Sequence, residues 1–221
     1  MIEHRYDERL QEDIDALRRR MLNSPESIMD QETEAHHLFA NGLHGLKVDC
    51  DMVEDNSDLY INMTSVYARA ILDVYDYELP DVLIGVANGA NRFAASIAPM
   101  IGAVALATKK NTTSDVELSE EASETLEGMD DDLFGLVIED VGTSGSTVWS
   151  LVDRLRGIDR FGRIEAFHLL QRSATLHFLD SNDVTYRSVV FEPQTDYSKA
   201  DCEVSGFCSR DVPLLENGFK R

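Results

Sequence analysis

The 221-residue chain has no run of about 18 apolar residues that could cross a membrane. Its first twenty residues, MIEHRYDERLQEDIDALRRR, lack the apolar stretch of a secretory signal. The expectation is a cytoplasmic protein without a membrane partner. Cysteine is scarce: Cys50, Cys202 and Cys208 make an odd count without the spacing of a metal motif, which fits reduced thiols. The glycosylation sequons at Asn62 and Asn111 are then chance matches. Basic charge is also short. Twenty Lys and Arg stand against 41 Asp and Glu, a net charge of −21, which argues against nonspecific binding to nucleic acid or anionic membranes. An anionic ligand therefore needs a local site. Only five of the basic residues are lysine, and the acidic excess is spread along the chain, a pattern found in high-salt proteins and in ordinary acidic ones alike. No internal repeat is visible.

What is present is periodic. Tyr6, Leu10, Ile14, Leu17 and Met21 recur at helical spacing with charges between them, predicting an amphipathic helix over 5–22. NSPES at 23–27 breaks it. A second short helix is expected over about 30–40, ending at Asn41–Gly42, then two short strands over 45–62 around EDNSD, and a helix over 64–76 capped by Thr64. From residue 81 strands and helices alternate. DVLIGVA (81–87), AVALAT (103–108), LFGLVIE (133–139), RIEAFHLLQ (163–171) and TYRSVVF (185–191) read as strands; 91–102, 146–157 and 174–180 read as helices. Several strands are apolar almost throughout, so the expected fold is α/β, a mainly parallel sheet with helices on both faces. Residues 63–191 form that core, 1–62 a flanking layer of helix and strand, and 192–221 an extension folded back onto it. The segment from Asn111 through Asp132 carries nine acidic residues and no basic one, read as a solvated, helix-containing insertion or a mobile loop.

The segment GLVIEDVGTSGST (135–147) ends a buried strand in two adjacent carboxylates and then breaks into small residues. Glu139 and Asp140 repel one another unless a ligand offers hydroxyls or a cation. Gly142, Thr143, Ser144, Gly145, Ser146 and Thr147 supply close approach, hydroxyl donors and the free N–H groups of a helix start, which is what a phosphate needs. Acceptors followed by donors suit a sugar phosphate. The segment is neither a Walker A loop, for want of a lysine before Ser146, nor a G-x-G-x-x-G motif.

The strand, Glu-Asp and V-G-T-S-G-S-T sequence resembles the signature of the type I phosphoribosyltransferases, which bind 5-phosphoribosyl 1-pyrophosphate. Gly142 stands where an aliphatic residue is usual. The resemblance implies that Glu139 and Asp140 bind the ribose hydroxyls, and that the turn Val141, Gly142, Thr143, Ser144, Gly145, Ser146 and Thr147 holds the 5-phosphate. GVANGANRFAASIA (85–98) is similar to the family's pyrophosphate loop, which assigns Ala87, Asn88, Gly89, Ala90, Asn91 and Arg92 to pyrophosphate. Lys109 and Lys110 match a strand-end lysine and are assigned to phosphate charge at the catalytic centre. Orotate phosphoribosyltransferase is the nearest type: LFANGLHGLKVD (38–49) resembles its early Ser-Gly segment, with Asn41 in place of Ser, and CEVSGFCSRDVPLL (202–215) its Pro-Leu ending. Two departures stand out. The 111–132 segment lacks the Lys and His of that group's mobile loop, and Asp51 replaces a basic residue.

The activity so implied is transfer of phosphoribosyl to a nucleobase, orotate first, with Mg2+ carried by the sugar pyrophosphate, no protein metal ligand, and a homodimer. A regulatory protein that binds the sugar pyrophosphate without turnover, a transferase for another base, and a domain for some other phosphorylated metabolite are the alternatives. His36, His37, His44, His168 and His177 do not form a metal pattern and are read as structural or exposed. Cys202 and Cys208 are read as packing thiols, for want of two further partners.

Overall fold

A computed structural model describes residues 5–23, 36–38, 43–46, 48, 50, 53–55, 57–111 and 115–215. In chain order the elements are α1 (Glu8–Asn23), β1 (His36–Leu38), β2 (His44–Gly45), α2 (Asp58–Val74), β3 (Val82–Gly85), α3 (Ala87–Ile101), β4 (Val104–Leu106), β5 (Thr108–Lys110), β6 (Val116–Leu118), α4 (Glu120–Glu127), β7 (Leu133–Gly142), α5 (Ser146–Arg156), β8 (Phe161–Gln171), α6 (His177–Asp180), β9 (Tyr186–Phe191), α7 (Lys199–Ser205) and β10 (Leu214–Leu215).

Five strands form the central sheet in the order β4-β3-β7-β8-β9, and every neighbouring pair is parallel. Alternate strand residues feed two cores, as a pleated strand buried on both faces requires. Leu83, Leu136, Ile138, Phe167 and Leu169 pack under α1, α2 and α3; Val82, Ile84, Val137 and Ala166 pack under α5 and α6. The expected α/β fold with helices on both faces is what forms. Helix α1 buries Leu10, Ile14, Leu17 and Met21, the stripe that the spacing predicted. At about 1.5–3 kcal/mol for each fully buried large aliphatic side chain, that stripe holds α1 to the core. Among the described residues no helix is long and apolar enough to cross a membrane.

The flanking layer joins both ends of the chain. β1 pairs antiparallel with β2 and parallel with β10, making a three-stranded sheet of N- and C-terminal segments. Here several expectations fail. Residues 36–38 are a strand rather than part of a helix, because His37 and Leu38 pair with Gly45 and His44. The remainder of the helix expected over 30–40 falls largely outside the described residues, as do Asn41 and Asp51. Of the two strands expected over 45–62, residues 47, 49, 51, 52 and 56 lie outside the described residues; among the described ones β2 ends at Gly45 and α2 begins at Asp58, so the end of that span is helix. Ser57, not Thr64, caps α2, its hydroxyl accepting from the Tyr60 N–H at 3.1 Å, and Thr64 is buried inside the helix. A cap of this kind contributes about 1 kcal/mol, enough to start the helix early. The expected strand over 103–108 divides at Ala107. Its last part, β5, leaves the sheet to form an antiparallel hairpin with β6, and the acidic segment continues into α4.

Candidate functional site

Strand order reverses at β3: the chain passes from β3 to β4 on one side, then returns to place β7 on the other. The crevice at the carboxyl ends of β3 and β7 is thus a topological switch point, where open parallel sheets bind ligands. Two strand-to-helix junctions border it, β3–α3 and β7–α5. They touch, since the Val86 N–H donates to the Ile138 carbonyl at 3.0 Å.

At the β7 junction the strand runs further than expected. Val141 and Gly142 still pair with Leu170 and Gln171, so only Thr143–Gly145 form the turn. Glu139 and Asp140 therefore sit on a rigid strand end. Asp140 Oδ1 accepts from the Val141 N–H at 2.9 Å. Among the described residues neither carboxylate enters an ion pair. Burial, and then the adjacent Asp140 carboxylate, hold the Glu139 carboxyl well above the usual carboxylate range, with Lys110 opposing. Behind the pair Tyr67 donates to the Phe167 carbonyl and lies 3.4 Å from that of Glu139.

The turn is built around Gly145, in the left-handed region at φ 79°. A Cβ there would lie 2.7 Å from Leu179 Cγ, so glycine is required for both backbone and space. Gly145 precedes α5. Its carbonyl accepts from the Trp149 N–H, while the Ser146 N–H reaches Ser144 Oγ at 3.3 Å. The Thr147 and Val148 N–H groups belong to the first helical turn and have no intrahelical acceptor, which leaves the positive end of α5 facing the crevice. Gly142 has its own reason. A Cβ at 142 would lie 2.8 Å from His168 Cδ2, so the imidazole fills the space an aliphatic side chain would take. His168 is fully buried, and burial lowers it from about 6.5 to about 4, leaving a neutral ring under the turn.

The β3 junction departs most from expectation. Ala87 to Arg92 are not a loop but the first turns of α3, entered through Ala87 at φ 55°. Thr108 stabilises that unusual conformation: its hydroxyl accepts from the Ala87 N–H at 2.8 Å and donates to the Gly85 carbonyl at 2.7 Å. Asn91 clamps the same residue, its Nδ2 donating to the Thr108 carbonyl at 2.7 Å and its Oδ1 accepting from the Thr108 N–H at 2.9 Å. Arg92 turns to the flanking layer. Its guanidinium donates to the carbonyls of Cys50 and Val53, pairs with Asp55 at 2.8 Å and stacks 4.9 Å over the Tyr60 ring. The side chains of Asn91 and Arg92 are thus committed elsewhere, a correction to their assignment to pyrophosphate. The junction also presents backbone: the N–H groups of Asn88 and Gly89 lie in the first turn, without intrahelical acceptors, and Ala90 closes the turn against the sheet. Lys109 lies 3.5 Å from Glu117 across the hairpin, and Lys110 is exposed beside Glu139.

Thr108, Tyr67 and His168 support this site, and sequence reading gave them no role in it. None carries a motif; their partners are 17 or more residues away in the chain. A second constellation lies apart from the crevice, in the flanking layer. His36, His44, Cys202 and Cys208 converge so that one ligand atom of each lies within 4.8 Å of the others. The expectation that Cys202 and Cys208 want two further partners fails here, because the tertiary fold brings His36 and His44 beside them.

No protein-family model matches the sequence, and no curated protein matches it. Solved structures do resemble the fold. Orotate phosphoribosyltransferase from Aeropyrum pernix superposes with a TM-score of 0.57 at 16% identity, over 82% of this chain and 93% of that one. The Mycobacterium tuberculosis H37Rv orotate phosphoribosyltransferase in complex with 5-phospho-alpha-D-ribosyl 1-diphosphate gives 0.51 at 18% identity, over 82% and 95%. An adenine phosphoribosyltransferase gives 0.53 at 10% identity, over 67% and 95%. This chain therefore has the α/β fold of the type I phosphoribosyltransferases, with the acidic pair and the Gly-Ser turn at the carboxyl edge of its sheet.

Proposed function

We propose that the protein transfers the 5-phosphoribosyl group from phosphoribosyl pyrophosphate to a nucleobase, with orotate as the first candidate. The observation that carries this reading is the β7–α5 junction: two carboxylates outside any ion pair among the described residues, followed directly by a glycine turn and a helix start. Glu139 and Asp140 accept from the ribose diol. Thr143 to Thr147 give hydroxyl and N–H donors to the 5-phosphate, and the Asn88 and Gly89 N–H groups face the pyrophosphate. The sugar is thereby held with its C1 exposed to the base. As the C1–O bond to pyrophosphate breaks, positive charge develops on the ribose, and the acidic pair beneath it is placed to stabilise that charge. The carboxylate oxygens of Glu139 and Asp140 fit the hard Mg2+ ion that such a sugar pyrophosphate carries. When bound, Mg2+ neutralises leaving-group charge, a supply this chain makes only sparingly from Lys109 and Lys110. A homodimer, implied by the resemblance, belongs to the same reading and is checked by sedimentation.

A second reading has its own observation. With Arg92 bound to Cys50, Val53 and Asp55 and Lys109 beside Glu117, few cations among the described residues remain for pyrophosphate, as in a protein that binds the ligand and does not turn it over. One experiment separates the two. The protein is incubated with Mg2+, phosphoribosyl pyrophosphate and a panel of bases, and nucleotide is measured. Turnover that falls by at least about 100-fold in Asp140→Asn supports transfer; turnover unchanged in that variant overturns the site. Tight binding without product selects the regulatory reading.

A further inference from the structure

The two ends of the chain meet in a patch with little core of its own among the described residues. Of these, Leu46, Cys202 and Phe207 are its buried apolar residues, with Tyr197, Cys208 and Val212 packed against them. Hydrophobic burial on that scale is small for a layer that must order segments from both termini. At its centre four side chains point at one another. His36 comes from β1 and His44 from β2, opposite Leu38 in the hairpin; Cys202 comes from α7 and Cys208 from the short 3-10 helix Cys208–Arg210 that follows.

Their distances are informative. His36 Nε2 lies 3.2 Å from His44 Nδ1, 3.4 Å from Cys208 Sγ and 3.9 Å from Cys202 Sγ, and Cys208 Sγ lies 3.6 Å from His44 Nδ1. A tetrahedral ion with ordinary zinc–nitrogen and zinc–sulfur bonds would separate its ligands by about 3.4 Å for two nitrogens and about 3.6 Å for nitrogen and sulfur. The N–N edge of 3.2 Å and the three N–S edges of 3.4–3.9 Å lie within about 0.3 Å of those values. Ordinary hydrogen bonding explains them poorly, because a single imidazole nitrogen is either one donor or one acceptor in its ring plane and here meets three partners. A two-iron cluster would put the histidines on one metal and the cysteines on the other, whereas here Cys208 Sγ is almost as close to each histidine as they are to one another.

The surroundings are those of a ligand set. The Cys208 N–H donates to Cys202 Sγ at 3.2 Å, a bond that stabilises a thiolate. Phe207 stacks on the His36 ring at 5.3 Å, and the His44 backbone exchanges two hydrogen bonds of 2.8 Å with Tyr197, so both imidazoles are held in place. His36, His44 and Cys202 are buried.

We propose that His36, His44, Cys202 and Cys208 form a closed, four-coordinate structural zinc site that staples the N-terminal hairpin to the C-terminal extension. All four positions are protein ligands, so the ion has no open place for water or substrate and its role is to order the layer. The site is independent of what the crevice binds.

The test begins with the full chain, purified reduced from medium supplemented with zinc chloride and analysed for metal by mass spectrometry. About one zinc per chain is expected, falling at least about tenfold in both Cys202→Ser and His44→Ala and staying unchanged in Cys50→Ser, whose thiol is not one of the four converging ligand atoms. If the variants fail to fold, the wild-type chain still decides: Co2+ exchanged into it should give the red-region d–d bands of a tetrahedral site and a thiolate charge-transfer band in the near ultraviolet. Chelation should lower the melting temperature, and zinc chloride should restore it. A metal-free wild-type protein, full zinc in both variants, or an octahedral cobalt spectrum overturns the proposal.

Discussion

The two junctions that border the crevice differ in where their side chains go. At β3–α3 three polar side chains are spent on the protein itself: Thr108 holds Ala87 and Gly85, Asn91 holds Thr108, and Arg92 reaches Cys50, Val53 and Asp55, so the backbone N–H groups of the first helical turn are what these contacts leave for a ligand. At β7–α5 the order is reversed. The backbone is made rigid by strand pairing, by His168 beneath Gly142 and by Leu179 beside Gly145, and the carboxylates and hydroxyls are left over. One edge of the site is thus shaped by side chains and presents amides. The other is shaped by packing and presents functional groups.

That contrast can be broken experimentally. Gly145→Val should have the largest effect, since it adds left-handed strain to a clash with Leu179; a loss of about 2–5 kcal/mol in denaturant unfolding is expected, with loss of phosphoribosyl pyrophosphate binding. Normal stability in that variant would mean the turn can adopt another shape. His168 makes a pH prediction. Its pKa of about 4 in the folded chain lies below the value of about 6.5 expected when unfolded, so the unfolded chain takes up the proton first. Stability is therefore full above that range and should fall by on the order of 3 kcal/mol as pH drops through it. His168→Leu should flatten this slope, and an unaltered slope would assign acid loss to other groups.

Thr108→Val removes the acceptor for Ala87 and the donor to Gly85, and should cost about 1–3 kcal/mol while loosening the β3–α3 junction. Faster hydrogen exchange at Ala87 to Gly89, with the β7–α5 turn unchanged, would show the two edges to be separately built. Arg92→Gln should have the smallest effect on ligand. Its phosphoribosyl pyrophosphate affinity is expected within about threefold of wild type, below the roughly tenfold loss that 1.4 kcal/mol would bring. A larger drop, measured by calorimetry, would return Arg92 to the pyrophosphate subsite.

How far the residues announce all this depends on the distance between partners. The α1 stripe, the strands from residue 81 and the Glu139–Thr147 segment are local patterns, in which each residue's role follows from neighbours a few positions away. The errors fall elsewhere. Ser57 outcompeted Thr64 as a cap although both are plausible from composition, and Val141 and Gly142 stayed in the strand because β8 was there to pair with them. Arg92 beside a glycine turn looks like an anion ligand until Cys50, Val53 and Asp55 are seen to supply its acceptors. His36 and Cys202 are 166 residues apart, and no spacing rule joins them.

Periodicity and turn chemistry alone determined an α/β sheet and a phosphate-shaped bend after an acidic pair, because backbone geometry translates short-range order directly into strands, helices and helix starts. Which polar side chains remain available to a ligand, and which four residues meet around a prospective metal, was decided only when the chain closed on itself. Such contacts depend on the three-dimensional separation of residues remote in sequence, and that separation exists only once the sheet and its flanking layer have packed.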